Sequence, residues 1–200
     1  MVKAVFLNVP DHVLEDRKRT GADQWDEMWE GVLHVVPSPT NPHQDLAGDL
    51  HTYLAVHWAR PRKAKAYYEV NLASVGGWDH DYRIPDLLLL TRDRFSIDKG
   101  AYFEGAPNVV VEIHSAGDEA YEKLDFYARL GVPEVWIINR DTKEPEIHVL
   151  KRGRYRVQSP GTGGWLGGPG TGVEMKAGRR GKLSLRMGKD EKTREDIPTD

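Results

Sequence analysis

The chain has no cysteine among its 200 residues, which excludes disulfides, thiolate metal sites and cysteine nucleophiles. No apolar run approaches the about 20 residues that a membrane-spanning helix requires. Residues 1–16 have too short an apolar core and too early a charge to form a secretory signal. These absences predict a cytoplasmic protein with no membrane partner.

The chain also has little excess charge, because its formal net charge is only −3. The chain as a whole is therefore not a binder of polyanions, and a nucleic acid would have to meet a local basic surface. Three basic runs could supply that surface, although such runs are more often solvated faces. They are Arg60, Arg62, Lys63 and Lys65; Lys151, Arg152, Arg154 and Arg156; and Lys176, Arg179, Arg180 and Lys182.

The length and composition suit one globular domain with appendages, since 39% of the residues are apolar and 30% are charged. We interpret residues 1–23 as an irregular N-terminal arm and residues 24–158 as the core domain. Residues 159–187 form a glycine-rich extension with room for one edge hairpin. Residues 188–200 are a charged tail with almost no apolar residues, which we expect to be disordered.

Two short apolar runs stand out because each carries one carboxylate. Asp86 precedes Leu87–Leu90, and Glu112 follows Val109–Val111. Short runs of this kind are typical of strands that are covered on both faces, where an ionised carboxylate costs several kcal/mol unless it is paired. Two such carboxylates on adjacent strands would also repel each other unless a cation lay between them. The pattern therefore predicts a divalent-metal site. The alternative is that both acids mark strand ends that face water or pair with arginine.

Because side chains alternate between the two faces of a strand, the sequence predicts on which face of the sheet each carboxylate lies. Counting by twos, Asp86 shares a face with Leu88, and Glu112 shares a face with Val110 and His114. If the two strands lie side by side with Asp86 opposite Glu112, both carboxylates point to one side of the sheet.

Helix and strand patterns around these runs predict a mixed sheet. Residues 41–60 have an amphipathic period, with Asn41 before a proline as the start and Pro61 as the end. Residues 115–130 read as a second helix, in which Lys123 flanks a buried stripe that includes Tyr127. Strand, helix and strand across residues 108–139 imply a parallel crossover. Further predicted strands are 32–36, 65–74, 134–139 and a hairpin of 146–150 with 154–158. The expected class is α/β (α+β), with a mixed central β-sheet flanked by helices.

The motifs themselves resemble a known family. YRIPD at 82–86, VVVEI at 109–113 and EKLDFYARLGVPEVWIIN at 122–139 are similar to the Uma-type putative restriction endonuclease family, part of the PD-(D/E)XK nuclease superfamily. The earlier stretch WDEMWEGVLHVVPSPTNPHQDL at 25–46 also looks like that family, so the resemblance covers roughly residues 24–150. It implies a restriction-endonuclease-like core for the domain at 24–158.

The resemblance also implies a function and a set of site residues. Asp86, Glu112 and the backbone carbonyl of Ile113 would hold Mg²⁺, with Mn²⁺ as a substitute. The parent motif has lysine two residues after the glutamate, where this chain has His114. The family resembles those superfamily members in which the lysine lies in the following helix, and Lys123 matches that catalytic lysine. His43 and Glu27 would support the site. The implied activity is a Mg²⁺-dependent endonuclease that hydrolyses phosphodiester bonds of DNA.

Several alternatives stay open at this stage. The chain could be a non-catalytic nucleic-acid-binding module on the same fold, or an oligomeric interaction module whose acids only pair with arginines. Lys123 could instead form a salt bridge with Glu119, and His43 could be a capping or surface group. The exposed sheet edge after residue 140 and the tyrosines near residue 67 favour a homodimer.

Overall fold

The computed structural model describes residues 4–7 and 9–199, and these form three β-sheets with a few helices. The central sheet is mixed, with the most buried strands in its middle and helices packed on its two faces. The predicted α/β (α+β) class, a mixed central sheet flanked by helices, is confirmed. No helix in the described part of the chain is long and apolar enough to cross a membrane.

The strands are short, and most of the buried ones coincide with the apolar runs of the sequence. In chain order they are β1 (Ala4–Phe6), β2 (Glu27–Trp29), β3 (Val32–Val35), β4 (Lys65–Tyr68), β5 (Leu72–Ala73), β6 (Tyr82–Arg83), β7 (Leu87–Leu90), β8 (Phe103–Glu104), β9 (Val109–His114), β10 (Glu134–Asn139), β11 (Pro145–Lys151), β12 (Arg154–Val157), β13 (Leu166–Gly167), β14 (Val173–Ala177), β15 (Leu183–Met187) and β16 (Asp190–Ile197). The sheets have the orders β1-β3-β2-β6-β5-β8, β12-β11-β10-β9-β7-β4 and β13-β14-β15-β16.

The middle of the central sheet follows the predicted topology. β9 and β10 pair in parallel, with Val111 beside Trp136, so the predicted crossover is confirmed. β7 lies antiparallel on the other side of β9, with Leu87 beside Val111. The predicted hairpin is also present, because β11 pairs with β12 in antiparallel register.

Alternate residues of the central strands enter two separate cores. Leu87, Leu89 and Val111 face one core, which also holds Leu50 of the helix that follows Thr40 and Leu185 of the third sheet. The other core contains the intervening strand residues, together with a helix from the crossover; its members include Leu88, Leu90, Val110, Ile137, Phe126 and Tyr127. The division arises because successive side chains of a strand point to opposite faces of the sheet.

The helices include one that begins where the sequence predicts it. They are α1 (Asp11–Thr20), α2 (Asn41–Tyr53), α3 (Arg60–Arg62) and α4 (Leu124–Leu130), with a π-helical segment over Leu54–Ala59 and 3₁₀ segments over Arg92–Ile97, Thr162–Gly164 and Arg179–Gly181. α2 starts at the predicted Asn41, with proline in its first turn, because proline there gives up no helical hydrogen bond.

The predicted helix over residues 115–130 is wrong in its first half, because α4 begins only at Leu124. The carboxylate of Asp118 accepts hydrogen bonds from the backbone N–H groups of Ser115 and Ala120. Such a side chain competes with the backbone carbonyls for these donors and holds the segment in turns. Gly117 has a φ of +83°, which also ends regular helix there.

The interpretations of both chain ends need correction. The arm at 1–23 is not irregular throughout, since it contains β1, paired with β3, and α1. The charged tail at 188–200 is not disordered over its described part, because β16 pairs with β15 and Ile197 is 1% exposed. Residues 1–3, 8 and 200 of these two segments lie outside the described residues.

The glycine-rich extension at 159–187 contributes more than one edge hairpin. β13, β14 and β15 lie in the third sheet, and its side chains Val173, Met175, Leu183 and Leu185 are fully buried in the core beside the central sheet. The predicted strand at 65–74 is interrupted, because Glu69 adopts a φ of +46° and the chain passes from the central sheet to the first sheet.

Candidate functional site

The candidate site lies where β9 ends and β7 begins, and a cavity of about 130 Å³ opens there. The pairing of Leu87 with Val111 sets Asp86 and Glu112 at neighbouring positions one step further along the two strands. The backbone N–H of Ile113 donates to Asp86 Oδ2 at 2.6 Å, which holds this carboxylate beside the end of β9. The cavity lining includes Glu27, His43, Asp86, Glu112, Ile113 and Lys123.

Glu112 is buried, with 4% of its surface exposed, and α4 and the residue before it supply its partners. Tyr127 donates its hydroxyl proton to Glu112 Oε1. Lys123 Nζ donates to Glu112 Oε2 at 3.2 Å. Lys123 and Tyr127 are four residues apart, the spacing that puts two side chains on one face of a helical segment. The strand carboxylate therefore has an ammonium on one oxygen and a phenol on the other.

Lys123 also contacts a second carboxylate, from the first sheet. Its Nζ lies 2.8 Å from Glu27 Oε1, and the Glu27 side chain is 2% exposed. The backbone N–H of Ile84 donates to the same oxygen of Glu27 at 2.8 Å, and the Trp29 indole donates to Oε2 at 2.8 Å. Glu27 therefore contacts three parts of the chain at once: its own strand β2, the segment that leads to Asp86, and Lys123.

His43 approaches the cluster from the first turn of α2. Its Nε2 lies 2.8 Å from Asp86 Oδ1. The neighbouring Gln44 donates to Glu69 Oε1 at 2.9 Å, on the wall of the same cavity. His43 is therefore a partner of Asp86, rather than only a capping or surface group.

Burial and mutual repulsion set the charges of this cluster. Burial, together with the nearby Asp86 and Glu27, raises the pKa of Glu112 to about 8, although Lys123 and Tyr127 act in the opposite direction. Burial alone would lower the pKa of Lys123, but Glu112 and Glu27 outweigh it and raise that pKa. The carboxylates therefore outnumber the cations, and a proton on Glu112 relieves part of the excess.

The same balance applies at the edge of the cluster. Burial alone would lower the pKa of His43, but its hydrogen bond to Asp86 and the charge of that carboxylate raise it overall. Burial, and then the charges of Glu112 and Glu27, raise the pKa of Tyr127, so the phenol keeps its proton as a donor.

The structure brings together all the residues that the sequence analysis nominated: Asp86, Glu112, Ile113, Lys123, His43 and Glu27. His114, at the position where the parent motif has lysine, contacts Asp118 through Nδ1 at 2.7 Å instead. Glu119, the alternative partner of Lys123, accepts a hydrogen bond from buried His34 at 2.9 Å.

Two donors of the cluster escaped the sequence analysis. The Trp29 indole and the Tyr127 hydroxyl bind the two glutamates directly, whereas the sequence analysis placed Tyr127 in a buried stripe and gave Trp29 no role. Glu27 and Trp29 are two apart in a strand, and Lys123 and Tyr127 are four apart along the crossover. These spacings place each pair on a common face, and the first of them could have indicated the contact of Trp29 with Glu27.

The carboxylate oxygens of Asp86 and Glu112 suit a hard divalent cation, but they are too few to complete its coordination. Each carboxylate oxygen of Asp86 and Glu112 has further lone-pair capacity beyond its present hydrogen bond, and oxygen donors are what Mg²⁺ prefers. Within residues 4–7 and 9–199, however, no three His, Asp or Glu side chains converge as a metal site. A bound ion would therefore need the backbone oxygen of Ile113 and water as additional ligands.

Comparison with known proteins gives a family match and a similar solved structure. The model of the Uma2 family, described as "Putative restriction endonuclease", matches residues 15–175. The crystal structure of a putative nuclease belonging to DUF820 from Anabaena variabilis ATCC 29413 is similar, with a TM-score of 0.54 and 18% sequence identity. The match covers 66% of this chain and 75% of that chain, and at this identity it shows a shared fold. A search of curated proteins gave no match.

Proposed function

The chain belongs to the Uma2 family of putative restriction endonucleases, and from this we propose that it is a Mg²⁺-dependent endonuclease that hydrolyses phosphodiester bonds of DNA. The proposal includes a cytoplasmic homodimer, as expected from the sequence. Sedimentation of the purified chain would give its oligomeric state.

One observation carries the proposal: two carboxylates from neighbouring strands meet at a cavity beside a buried ammonium. Asp86 and Glu112 line this cavity, and Lys123 Nζ lies 3.2 Å from Glu112. Burying Glu112 is costly, and its raised pKa reflects that cost. A buried carboxylate with a raised pKa, set in a cleft beside a charged partner, is typical of functional sites.

Asp86, Glu112 and the Ile113 carbonyl would hold the metal ion. When bound, Mg²⁺ would polarise a phosphate oxygen and lower the pKa of a water molecule that attacks phosphorus. The chain's own residues would prepare the ligands. His43 orients Asp86 from one side, and Tyr127 orients Glu112 from the other.

Lys123 would act on the reacting atoms. It keeps its proton because Glu112 and Glu27 raise its pKa. Its ammonium would orient the attacking water or stabilise negative charge on the phosphate as the bond breaks. Glu27 remains 2.8 Å from the ammonium, so Lys123 would stay in place when Glu112 turns to a metal ion.

Substitution of the two acids tests the proposal. We expect Asp86→Ala and Glu112→Ala to abolish Mg²⁺- or Mn²⁺-dependent cleavage of supercoiled plasmid while circular dichroism still shows a folded chain. Glu69→Gln is a matched control, because Glu69 lines the same cavity but bonds to Gln44 and Trp25. Undiminished cleavage by either alanine variant would count against the proposal.

A second candidate is a non-catalytic nucleic-acid-binding module on the same fold. Its support is that the Lys123 ammonium already lies between Glu112 and Glu27 and pairs with both without a metal ion. Calorimetry separates the candidates. The endonuclease should release or absorb heat with millimolar Mn²⁺, and a module whose acids serve Lys123 should show none.

A further inference from the structure

The hairpin of β11 and β12 carries a concentration of positive charge that the candidate site does not use. Between Glu146 and Glu174 the chain has no aspartate or glutamate. The same stretch contains four cations in six positions, and all four are exposed: Lys151, Arg152, Arg154 and Arg156. The hairpin is therefore locally basic, although the whole chain has a net charge of −3.

These four cations are also uncompensated. Within the described residues, none of their side chains forms an ion pair or a hydrogen bond. Two other exposed arginines are paired: Arg19 with Asp16, and Arg194 with Glu191 at 3.5 Å. An uncompensated group of like charges projects a positive potential into solvent, where it attracts a polyanion.

The backbone holds these cations in a fixed arrangement. Arg152 and Gly153 form a two-residue turn with φ values of +52° and +76°, as a tight β-hairpin requires. The Tyr155 hydroxyl donates to the Val132 carbonyl at 2.8 Å and ties β12 to the loop after α4. Arg154 and Arg156 alternate with Tyr155, so they share the opposite face of the strand.

Edge protection is the competing explanation. β12 is the last strand of the central sheet, and charged residues on an edge strand prevent pairing with other chains. That role needs only a charge or two of either sign. It does not explain why two of the cations lie at the turn, in Lys151 and Arg152, or why no acid accompanies them over the whole stretch.

We propose that the β11–β12 hairpin binds the phosphate backbone of duplex DNA, without reading its sequence. The Tyr155 ring of the hairpin packs against the core, so the exposed contacts would come from the cations and reach phosphates rather than bases. The inference rests on the proposed function only in its choice of DNA as the polyanion.

The hairpin would hold DNA beside the candidate site rather than at it. Strand pairing puts Glu112 level with Ile137, and Lys151 two residues beyond the pair Glu134 and Val149. Five residues along the strands and two strand spacings across, from β9 to β11, correspond to about 20 Å. Duplex DNA covers that distance in about six base pairs. The cations would therefore contact DNA flanking the cleaved bond.

Salt dependence of DNA binding tests the proposal. The probe is a fluorescent 30-base-pair duplex, titrated with the full chain in EDTA between 50 and 300 mM salt. We expect Arg154→Gln with Arg156→Gln to weaken binding about tenfold at 100 mM salt and to lower the log–log salt slope by about 2. The matched control is Arg19→Gln with Arg194→Gln, which removes the same charge from paired arginines.

Three results would overturn the proposal. The hairpin variant could bind as wild type, or both double variants could lose the same slope, which would indicate a general charge effect. The third is that the hairpin variant self-associates in sedimentation with an unchanged slope, which would identify edge protection as the role of these charges.

Plasmid cleavage by the same proteins separates this proposal from the proposed function. A wild-type chain that does not cleave, but whose DNA binding depends on the hairpin, would refute the nuclease and support the hairpin. If the wild-type chain cleaves with Mg²⁺ but the hairpin variant keeps the wild-type salt slope, the nuclease is supported and the hairpin proposal is refuted.

Discussion

Replacing Glu112 with glutamine tests whether the buried carboxylate is kept at a cost in stability. The substitution preserves the size of the side chain and removes its charge. Glutamine retains an oxygen that can accept from Tyr127 or Lys123, and Lys123 keeps its 2.8 Å contact with Glu27. Packing should therefore change little, so the measured effect should report the ionisation of Glu112.

The size of the effect follows from the pKa of Glu112, which burial raises from 4.5 to about 8. Each pKa unit is worth about 1.4 kcal/mol, so this group's contribution to folding differs by about 3 kcal/mol between low pH and pH 7. The difference reaches about 5 kcal/mol well above pH 8.

The sign depends on which state binds the proton more tightly. Because the pKa is higher in the folded chain, this contribution to stability is fully present below pH 4.5 and is lost as the pH rises to about 8. Lys123 adds no slope in this window, since its pKa is raised from 10.5 and it stays protonated in both states.

Urea denaturation in EDTA tests the prediction, because it measures the free energy of unfolding. At pH 5 the free energies of unfolding of wild type and Glu112→Gln should differ by no more than about 1 kcal/mol, and at pH 9 the variant should be more stable by at least about 2 kcal/mol. Adding 10 mM Mg²⁺ should stabilise the wild type and not the variant, because only a ligand that binds the folded state raises stability.

Glu134→Gln is a matched control for the metal effect. Glu134 is 2% exposed on the adjacent strand, its pKa is also raised by burial, and it bonds to Trp136 and Gly170 outside the cavity. This variant should keep its response to Mg²⁺. If Glu112→Gln were less stable than wild type at pH 9, Glu112 would be a structural partner of Lys123, and the reasoning would fail.

Three further substitutions have defined outcomes. Tyr127→Phe removes a hydrogen bond that lowers the pKa of Glu112, so it should cost about 1–2 kcal/mol and move the onset of Mn²⁺ binding to higher pH in calorimetry. His43→Gln should flatten the pH dependence of thermal unfolding, because the raised pKa of His43 gives stability that is present below pH 6.5 and lost as the pH rises past its folded value. Ile197→Ala should cost about 2–4 kcal/mol in urea denaturation if β16 packs on the core, whereas the exposed Lys192→Ala should cost less than about 0.5 kcal/mol.

Short-range patterns were sufficient for the central sheet. The runs at Leu87–Leu90 and Val109–Val111 are apolar at every position, which is stable only for strands covered on both faces. The spacing of Asp86 and Glu112 from those runs then set the side on which each carboxylate lies. Their placement at one cavity followed from local sequence together with the assumption that the strands are neighbours.

Other predictions were wrong because side-chain hydrogen bonds or tertiary pairing outweighed the local sequence pattern. The segment before α4 has a helical pattern, but the Asp118 side chain takes the backbone donors that a helix would need. The charged tail lacks the apolar content of an independent strand. It is ordered because β15 offers an unpaired edge and Ile197 enters the core beside Leu183.

The sequence by itself determined the central strands, the crossover that joins two of them and the residues that could carry metal-dependent chemistry, because these depend on period and local burial. Only the tertiary structure decided that Lys123 lies between Glu112 and Glu27, and that Tyr127 binds Glu112. Those contacts join side chains up to 96 positions apart, as with Lys123 and Glu27, and only the packing of one sheet and the crossover segment against another can bring them within hydrogen-bonding distance.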